Sequence, residues 1–170
     1  MTPHVFATWR MGLALLLIAA SAVHAQSQAP ASALGQGEHQ VATTDAKSAP
    51  SPAVTNATDA GTTEATRWLR LIDGGKYAEG WTQAATAFRA AIGQPDWDKT
   101  LVQVRTPLGA ATTRTLKSAA LTHQLPNVPP GDYVVIQFDT AFEQRPAAVE
   151  TVVVQRDTDQ VWRVSGYFIK

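Results

Sequence analysis

The sequence of 170 residues contains no cysteine. This absence excludes disulfide bonds, thiolate metal sites, cysteine nucleophiles and lipid attachment to a cysteine. An excess of charge is missing as well, because 14 basic and 14 acidic side chains give a formal net charge of zero. Nucleic acids and anionic membranes attract a concentrated excess of lysine and arginine. We therefore expect neither as a partner.

Motifs for common cofactors and catalytic machinery are also missing. The sequence has no phosphate-binding loop, dinucleotide fingerprint, G-x-S-x-G elbow or calcium loop. His123 is the only histidine after residue 61, so histidines cannot gather around a metal ion there. We interpret His123 as an exposed histidine at a strand end, with a general base as the alternative. No metal or cofactor is predicted.

Residues 1–25 have the pattern of a secretory signal peptide. Arg10 supplies a positive charge, residues 11–20 form an apolar run, and Val23-His24-Ala25 offers a cleavage site. An uncleaved membrane anchor is the alternative, but the apolar run is shorter than the roughly 20 residues that cross a bilayer. The pattern therefore predicts cleavage after Ala25, export to the periplasm or the medium, and no membrane span after cleavage.

A single folded domain is predicted to follow a linker. Residues 26–61 consist mostly of Ala, Ser, Thr, Gln, Pro and Gly, a composition that cannot bury enough apolar surface to fold. We expect a disordered low-complexity linker there. All aromatic residues except Phe6 and Trp9 lie between Trp68 and Phe168, which places one domain at residues 62–170.

The first half of this domain has helical periodicity. A first, short helix is predicted to begin at Thr62 or Thr63, either of which can cap it, and to end at Gly74-Gly75. A second helical stretch covers residues 76–92 and is weak enough in its middle to form either one helix or two pieces.

A third helix starts at Gln94-Pro95-Asp96, with proline in its first turn, and ends at Thr106-Pro107. Alternating β-branched and aromatic residues then take over. Strands are predicted for residues 113–123, residues 133–142 and both halves of residues 149–170. The predicted fold class is therefore α+β, with three N-terminal helices packed on a curved four-stranded antiparallel sheet.

The last two strands are predicted to form a hairpin around a loop at residues 157–160. That loop would place Val153 opposite Val164 and Val149 opposite Phe168. These four side chains would then lie on one mostly apolar face of the hairpin.

The opposite face of the hairpin carries the acid–base candidates. It brings Glu150 near Tyr167, with Asp139 on the neighbouring strand. If this face lined a cavity, a carboxylate could act as acid or base while the tyrosine donates a hydrogen bond. The alternative is a solvated outer face on which one carboxylate pairs with Arg163. A bulge at Gly166 would change the register and exchange the two faces.

Tryptophan is abundant in the domain, at positions 68, 81, 97 and 162. Aromatic side chains often wall ligand pockets, but three of these lie on helical stripes that would cover the sheet. We therefore predict core packing for them, and we retain Trp81 and Trp97 as candidate ligand-binding residues together with Asp139, Glu150 and Tyr167.

Four stretches carry a family resemblance: W-L-R-L-I-D-G-G-K-Y-A-E-G-W at 68–81, R-T-P-L-G at 105–109, Y-V-V-I-Q-F-D-T at 133–140 and V-W-R-V-S-G-Y-F-I at 161–169. Together they resemble an uncharacterised bacterial family, domain of unknown function 4019, over about residues 64–170. The resemblance implies a small exported bacterial protein with no assigned activity.

The order of elements and the closing W-R-V-x-G-Y pattern are also similar to the NTF2-like and cystatin-like cone folds. That group includes isomerases, dehydratases and hydrolases as well as non-catalytic binders. No catalytic motif of those enzymes is matched, and a fold alone does not establish an activity.

The leading hypothesis is an exported, non-catalytic domain that binds a small apolar or aromatic ligand or an envelope protein. The alternative is a cone-fold enzyme of isomerase, dehydratase or hydrolase type that uses Asp139, Glu150 or Tyr167. A third hypothesis is a homodimer formed through the exposed face of the sheet.

Overall fold

The structure is a computed structural model, and it describes residues 49–170. The predicted signal peptide and residues 26–48 of the predicted linker lie outside these residues. The described elements are α1 (Pro52–Asp73), α2 (Tyr77–Thr82), α3 (Thr86–Ala91), α4 (Gln94–Arg105), a short 3-10 turn (Thr106–Leu108), β1 (Ala111–Thr122), β2 (Tyr133–Phe142), β3 (Arg145–Arg156) and β4 (Trp162–Ile169). Helices precede strands, so the predicted α+β class is confirmed.

The first helix begins well before its predicted start. Ser51 caps α1 by accepting a hydrogen bond from the backbone N–H of Val54, and Pro52 occupies the first turn. The predicted start at Thr62 or Thr63 is therefore wrong, and residues 52–61 of the predicted linker are helical. The prediction of a short helix is wrong too, since α1 has 22 residues.

The described residues contain four α-helices rather than the predicted three, because the second predicted stretch forms the two pieces α2 and α3. Between them, Ala84 and Ala85 are fully buried. The backbone N–H of Ala85 donates to the carbonyl of Val164 on β4 at 2.8 Å. The helical path is therefore interrupted where the chain packs directly on the sheet.

The four strands form one antiparallel sheet in the order β1-β2-β3-β4. The helices cover one face of this sheet, which we call the inner face, and we call the opposite face the outer face. Between the helices and the inner face lies a core that includes Trp68, Leu69, Ile136, Val152 and Val154. Its polar members, described below, form the candidate site.

The predicted register of the last hairpin is wrong. Val154 lies opposite Val164, and Val153 lies opposite Gly166, with a bulge between these two pairs. Because of the bulge, Val164 lies on the inner face, whereas Val153 lies on the outer face together with Phe168, which is 57% exposed. The predicted apolar face of Val153 with Val164 therefore does not exist, since these residues lie on opposite faces of the sheet.

Candidate functional site

Glu150 on β3 has no exposed surface, although it carries a carboxylate. Its Oε1 accepts hydrogen bonds from the Tyr167 hydroxyl and from Nη1 of Arg105, the latter at 3.3 Å. Its Oε2 accepts from Nε of Arg114 at 2.6 Å and from the Thr140 hydroxyl at 2.7 Å. Four donors thus occupy the two oxygens.

Arg105 lies in the last turn of α4, where a positive charge is favourable at the helix end. Its Nη1 also donates to the Tyr167 hydroxyl at 3.0 Å, and its Nη2 donates to Oδ1 of Asp73 at 2.8 Å. The guanidinium carbon lies 4.8 Å from the centre of the Phe142 ring, a cation–π geometry. Only 5% of the side chain is exposed.

Arg114 reaches the same place from β1. The strand pairing sets it opposite Thr140, so the two side chains share the inner face. Its Nη1 and Nη2 donate to the two carboxylate oxygens of Asp73 at 2.7 and 3.0 Å. Asp73 is the last residue of α1, and its side chain is 30% exposed. We call Asp73, Arg105, Arg114, Thr140, Glu150 and Tyr167 the ionic network.

The charges of the ionic network balance, because two guanidinium groups face two carboxylates. Burial raises the pKa of Tyr167, and the neighbouring charge of Glu150 raises it further. Burial alone would lower the pKa of Arg114, but its hydrogen bonds with Asp73 and Glu150 raise that pKa overall. Tyr167 therefore remains a neutral hydroxyl, and both arginines remain charged.

This arrangement is better suited to stabilising the fold than to acid–base catalysis. A carboxylate has about four lone-pair positions, and those of Glu150 already have four donors. No oxygen of Glu150 is therefore left to accept a proton from a bound molecule. The network instead connects the ends of α1 and α4 to all four strands.

The four stretches that carry the family resemblance each contribute one member of the ionic network. Asp73 lies in the first stretch, Arg105 in the second, Thr140 in the third and Tyr167 in the fourth. The fold thus brings the four separate stretches together at one place in the molecule.

Of the predicted site residues, the structure brings Glu150 and Tyr167 into contact. Asp139 does not join them, because it lies opposite Val149 on the outer face, where it pairs with Lys117 at 2.9 Å. The predicted grouping of Asp139 with Glu150 on one face is therefore wrong. The alternative pairing with Arg163 is also wrong, since the short bonds of Arg163 go to Asp159.

Trp81 and Trp97 both lie in the helical layer, and each donates its indole N–H to the backbone. Trp81 donates to the carbonyl of Ile92 at 2.8 Å, and Trp97 donates to that of Tyr77 at 3.1 Å. Trp97 is buried and packs edge-on against Phe88. These bonds tie the short helices together, so both tryptophans contribute to the core as predicted.

Arg105 and Arg114 are not among the site residues predicted from the sequence. Arg105 ends a helix just before Thr106-Pro107, which is an ordinary place for an arginine. Arg114 stands between two threonines in a polar strand, without any distinguishing pattern. Only the strand pairing shows that Arg114 faces inward.

Other candidate sites are weaker. His123 is exposed, as predicted, and its Nδ1 lies 2.9 Å from Oδ1 of Asp132. Across residues 49–170, no three histidine or acidic side chains are placed to hold a metal ion. None of the helices in this range is long and apolar enough to cross a membrane. An open groove of about 610 Å³ lies on the outer face beside the β2–β3 turn.

Comparison with known proteins identifies one family. The family model described as "Protein of unknown function (DUF4019)" matches residues 64–167. No curated protein matches the chain. A solved structure from Catenulispora acidiphila shares 13% sequence identity, covers 68% of this chain and 91% of its own, and superposes with a TM-score of 0.47.

Proposed function

Because this chain belongs to the DUF4019 family of proteins of unknown function, we propose a function from its own surfaces: it is an exported, non-catalytic domain that binds a protein partner on the outer face of its sheet. The observation that carries this proposal is the contrast between the two faces. The inner face is filled by the core and the ionic network, whereas no described helix covers the outer face.

Three cross-strand rows make up most of the outer face. The rows are Ala120-Val135-Val153-Gly166, Ser118-Gln137-Thr151-Phe168 and Thr115-Asp139-Val149-Lys170. The first row is apolar, the second is polar except for its phenylalanine, and the third carries charges. The surface therefore changes from apolar to charged along the strand direction.

Phe168 extends the apolar row. A Cβ atom placed on Gly166 would lie 3.3 Å from Cε2 of Phe168 and 3.5 Å from Cβ of Val153. The aromatic ring therefore rests over the glycine next to Val153 and leaves more than half of its own surface open. A patch of one exposed aromatic side chain beside partly exposed valines is typical of a protein-binding surface.

An extended segment of a partner protein fits this face better than a small ligand does. The groove on the outer face is open to solvent and is lined in part by Thr113, Thr115 and Val149. Small-molecule sites normally enclose most of the ligand surface. The partner we propose places apolar side chains on Val135, Val153 and Phe168.

The test is photocrosslinking in the cell envelope of the host organism. A photoreactive phenylalanine analogue replaces Val153 in one variant and Val102 in the other. Val102 is a matched control because it is an exposed valine on α4, on the helical side. We expect an adduct with a different protein at position 153 and none at position 102.

Two results would overturn the proposed partner. An adduct of twice the chain mass would identify a second copy of this chain on the outer face. Equal labelling at both positions, or no adduct at position 153, would show that the outer face has no specific protein partner.

The same proposal includes export of the protein and an NTF2-like or cystatin-like fold. The signal pattern of residues 1–25 supports export with cleavage after Ala25. N-terminal sequencing of the protein from the periplasmic fraction should then begin at Gln26, and a start at Met1 would contradict export with cleavage after Ala25.

Helices on one face of a four-stranded antiparallel sheet support an NTF2-like or cystatin-like fold.

A further inference from the structure

Three N–H donors of the ionic network converge on one carboxylate. Nη2 of Arg105 and both terminal nitrogens of Arg114 lie 2.7 to 3.0 Å from the oxygens of Asp73. A planar guanidinium that contacts two oxygens of one carboxylate is the strongest arrangement such a pair adopts. We propose that Arg105 and Arg114 form a carboxylate-binding site, that Asp73 is its internal occupant, and that an external carboxylate can replace Asp73.

Asp73 is the one acid of the ionic network that can leave the site without unfolding the domain. Its side chain is 30% exposed, whereas the Glu150 side chain is 0% exposed. It ends α1 and is followed by Gly74-Gly75. Rotation of its side chain moves the carboxylate into solvent, while the two arginines stay fixed by Glu150.

The charge of the vacated site defines the ligand class. Glu150 neutralises one of the two arginines, and its oxygens are already occupied. Without Asp73, one positive charge and three N–H groups lack a partner. A monocarboxylate restores both the neutrality and the hydrogen bonds, whereas a phosphate dianion would add an unmatched negative charge to a partly buried place.

Asp73 competes with any external ligand because it is tethered beside the site. A tethered group acts at an effective concentration of roughly millimolar or more, and this self-occupation lowers the apparent affinity of the wild-type protein. Removal of the Asp73 carboxylate should therefore strengthen binding of an external carboxylate at least about tenfold.

The experiment compares Asp73→Ala with the wild-type protein in sodium formate and in sodium chloride of equal ionic strength. The probe is formate, and the readouts are the melting temperature and the NMR resonance of the Arg114 Nε–H group. We expect formate to raise the melting temperature of the variant above its value in chloride and to shift that resonance, with a midpoint at least about tenfold lower than in wild type. Equal behaviour in formate and chloride would overturn the proposal.

A matched control and a second variant separate this effect from general salt effects. Asp139→Ala removes a carboxylate that pairs with Lys117 on the outer face, and it should show no preference for formate. Asp73→Ala combined with Arg114→Lys removes the bidentate guanidinium donor, and this double variant should lose the preference for formate over chloride. If Asp73→Ala is unfolded in chloride, formate should refold it, and failure to refold would overturn the proposal.

A second ligand distinguishes the two sources of the carboxylate. N-acetyl-aspartyl amide presents the side chain of a protein aspartate. Its displacement of formate from Asp73→Ala would identify the side chain of a partner protein as the ligand, and exclusion of the amide would identify a free small acid. The site lies on the inner face, so this inference does not depend on the partner proposed for the outer face.

Discussion

The hydroxyl of Tyr167 donates a hydrogen bond to Oε1 of Glu150, a carboxylate with no exposed surface. The same carboxylate receives hydrogen bonds from two arginines and from Thr140. A buried charge is tolerated only when it is paired and its lone pairs are satisfied. The local fold around β3 therefore depends on the complete set of donors.

Glu150→Gln should strongly destabilise the protein. The amide removes one of two negative charges that face buried Arg105 and partly buried Arg114, and its NH₂ group faces donors that need an acceptor. Breaking a buried ion pair by removing one partner costs about 3–5 kcal/mol. Urea denaturation at neutral pH should show this loss in the free energy of unfolding.

Asp139→Asn is the control for that measurement. Asp139 and its partner Lys117 are both exposed, and such surface pairs contribute about 0–1 kcal/mol. If Glu150→Gln unfolded at the same urea concentration as Asp139→Asn, the ionic network would not be a source of stability.

Asp157 should make stability depend on pH in the acidic range. Its buried carboxylate accepts hydrogen bonds from the backbone N–H and the hydroxyl of Thr86 at 3.0 and 2.9 Å, so it caps α3. The Thr86 backbone hydrogen bond is the main reason that the pKa of Asp157 is lowered. A lowered pKa means that the stabilisation is complete above about pH 4, the unfolded value, and is lost as the pH falls through the folded value.

Asp157→Ala is therefore expected to cost about 1 kcal/mol at pH 7, as for other helix caps. The difference in melting temperature between variant and wild type should shrink as the pH is lowered below about 4. A difference that stays constant down to pH 2.5 would show that the ionised carboxylate does not stabilise the folded protein.

Local signals were sufficient for much of the secondary structure. The structure places β2 at residues 133–142 and starts α4 at Gln94, both as predicted. In these two segments nearby residues are enough to predict the structure. Alternating apolar side chains predict the strand, and a proline in the first turn predicts the start of the helix. The start of α1 was missed because its Ser51-Pro52 cap lies within a stretch of linker-like composition.

The faces of the last hairpin could not be predicted in the same way. A two-residue periodicity fixes which side chains share a face only until a bulge intervenes. The bulge beside Gly166 places Val164 on the face opposite to that of Val153, while Glu150 and Tyr167 remain in contact on the inner face. Both residues of this contact were predicted site residues, but the burial of Glu150 among the arginines was not predicted.

The ionic network depends on long-range contacts that no short pattern records. Asp73 and Arg114 are 41 positions apart, and Arg105 and Tyr167 are 62 positions apart. By its sequence context Asp73 has the ordinary features of a turn residue before two glycines. Its role appears only when the ends of α1, α4 and β1 are brought together.

Gly61→Ala should destabilise the protein although alanine favours helices. A Cβ atom at position 61 would lie 2.8 Å from Cβ and 2.9 Å from Cγ2 of Val134, so α1 would have to move away from β2. Overpacking of this kind costs about 1–3 kcal/mol, which exceeds the gain of about 1 kcal/mol in helix propensity.

Gly93→Ala is the matched control for Gly61→Ala. The nearest atom to its added Cβ is Cδ of Pro95 at 3.9 Å, and the glycine has an ordinary negative φ of −69°. Its effect on the free energy of unfolding should stay within about 1 kcal/mol. A stabilising effect of Gly61→Ala would contradict the close contact between α1 and β2.

Phe138 and Phe168 provide a direct test of the two sheet faces. Phe138 is 4% exposed on the inner face, whereas Phe168 is 57% exposed on the outer face. Phe138→Ala leaves a cavity in the core and should cost about 3–5 kcal/mol, as for other buried aromatic residues. Phe168→Ala removes a mostly exposed ring that rests over Gly166, and it should cost less than about 1 kcal/mol. Urea denaturation of both variants checks the assignment, and equal losses would contradict the placement of Phe138 on the inner face and Phe168 on the outer face.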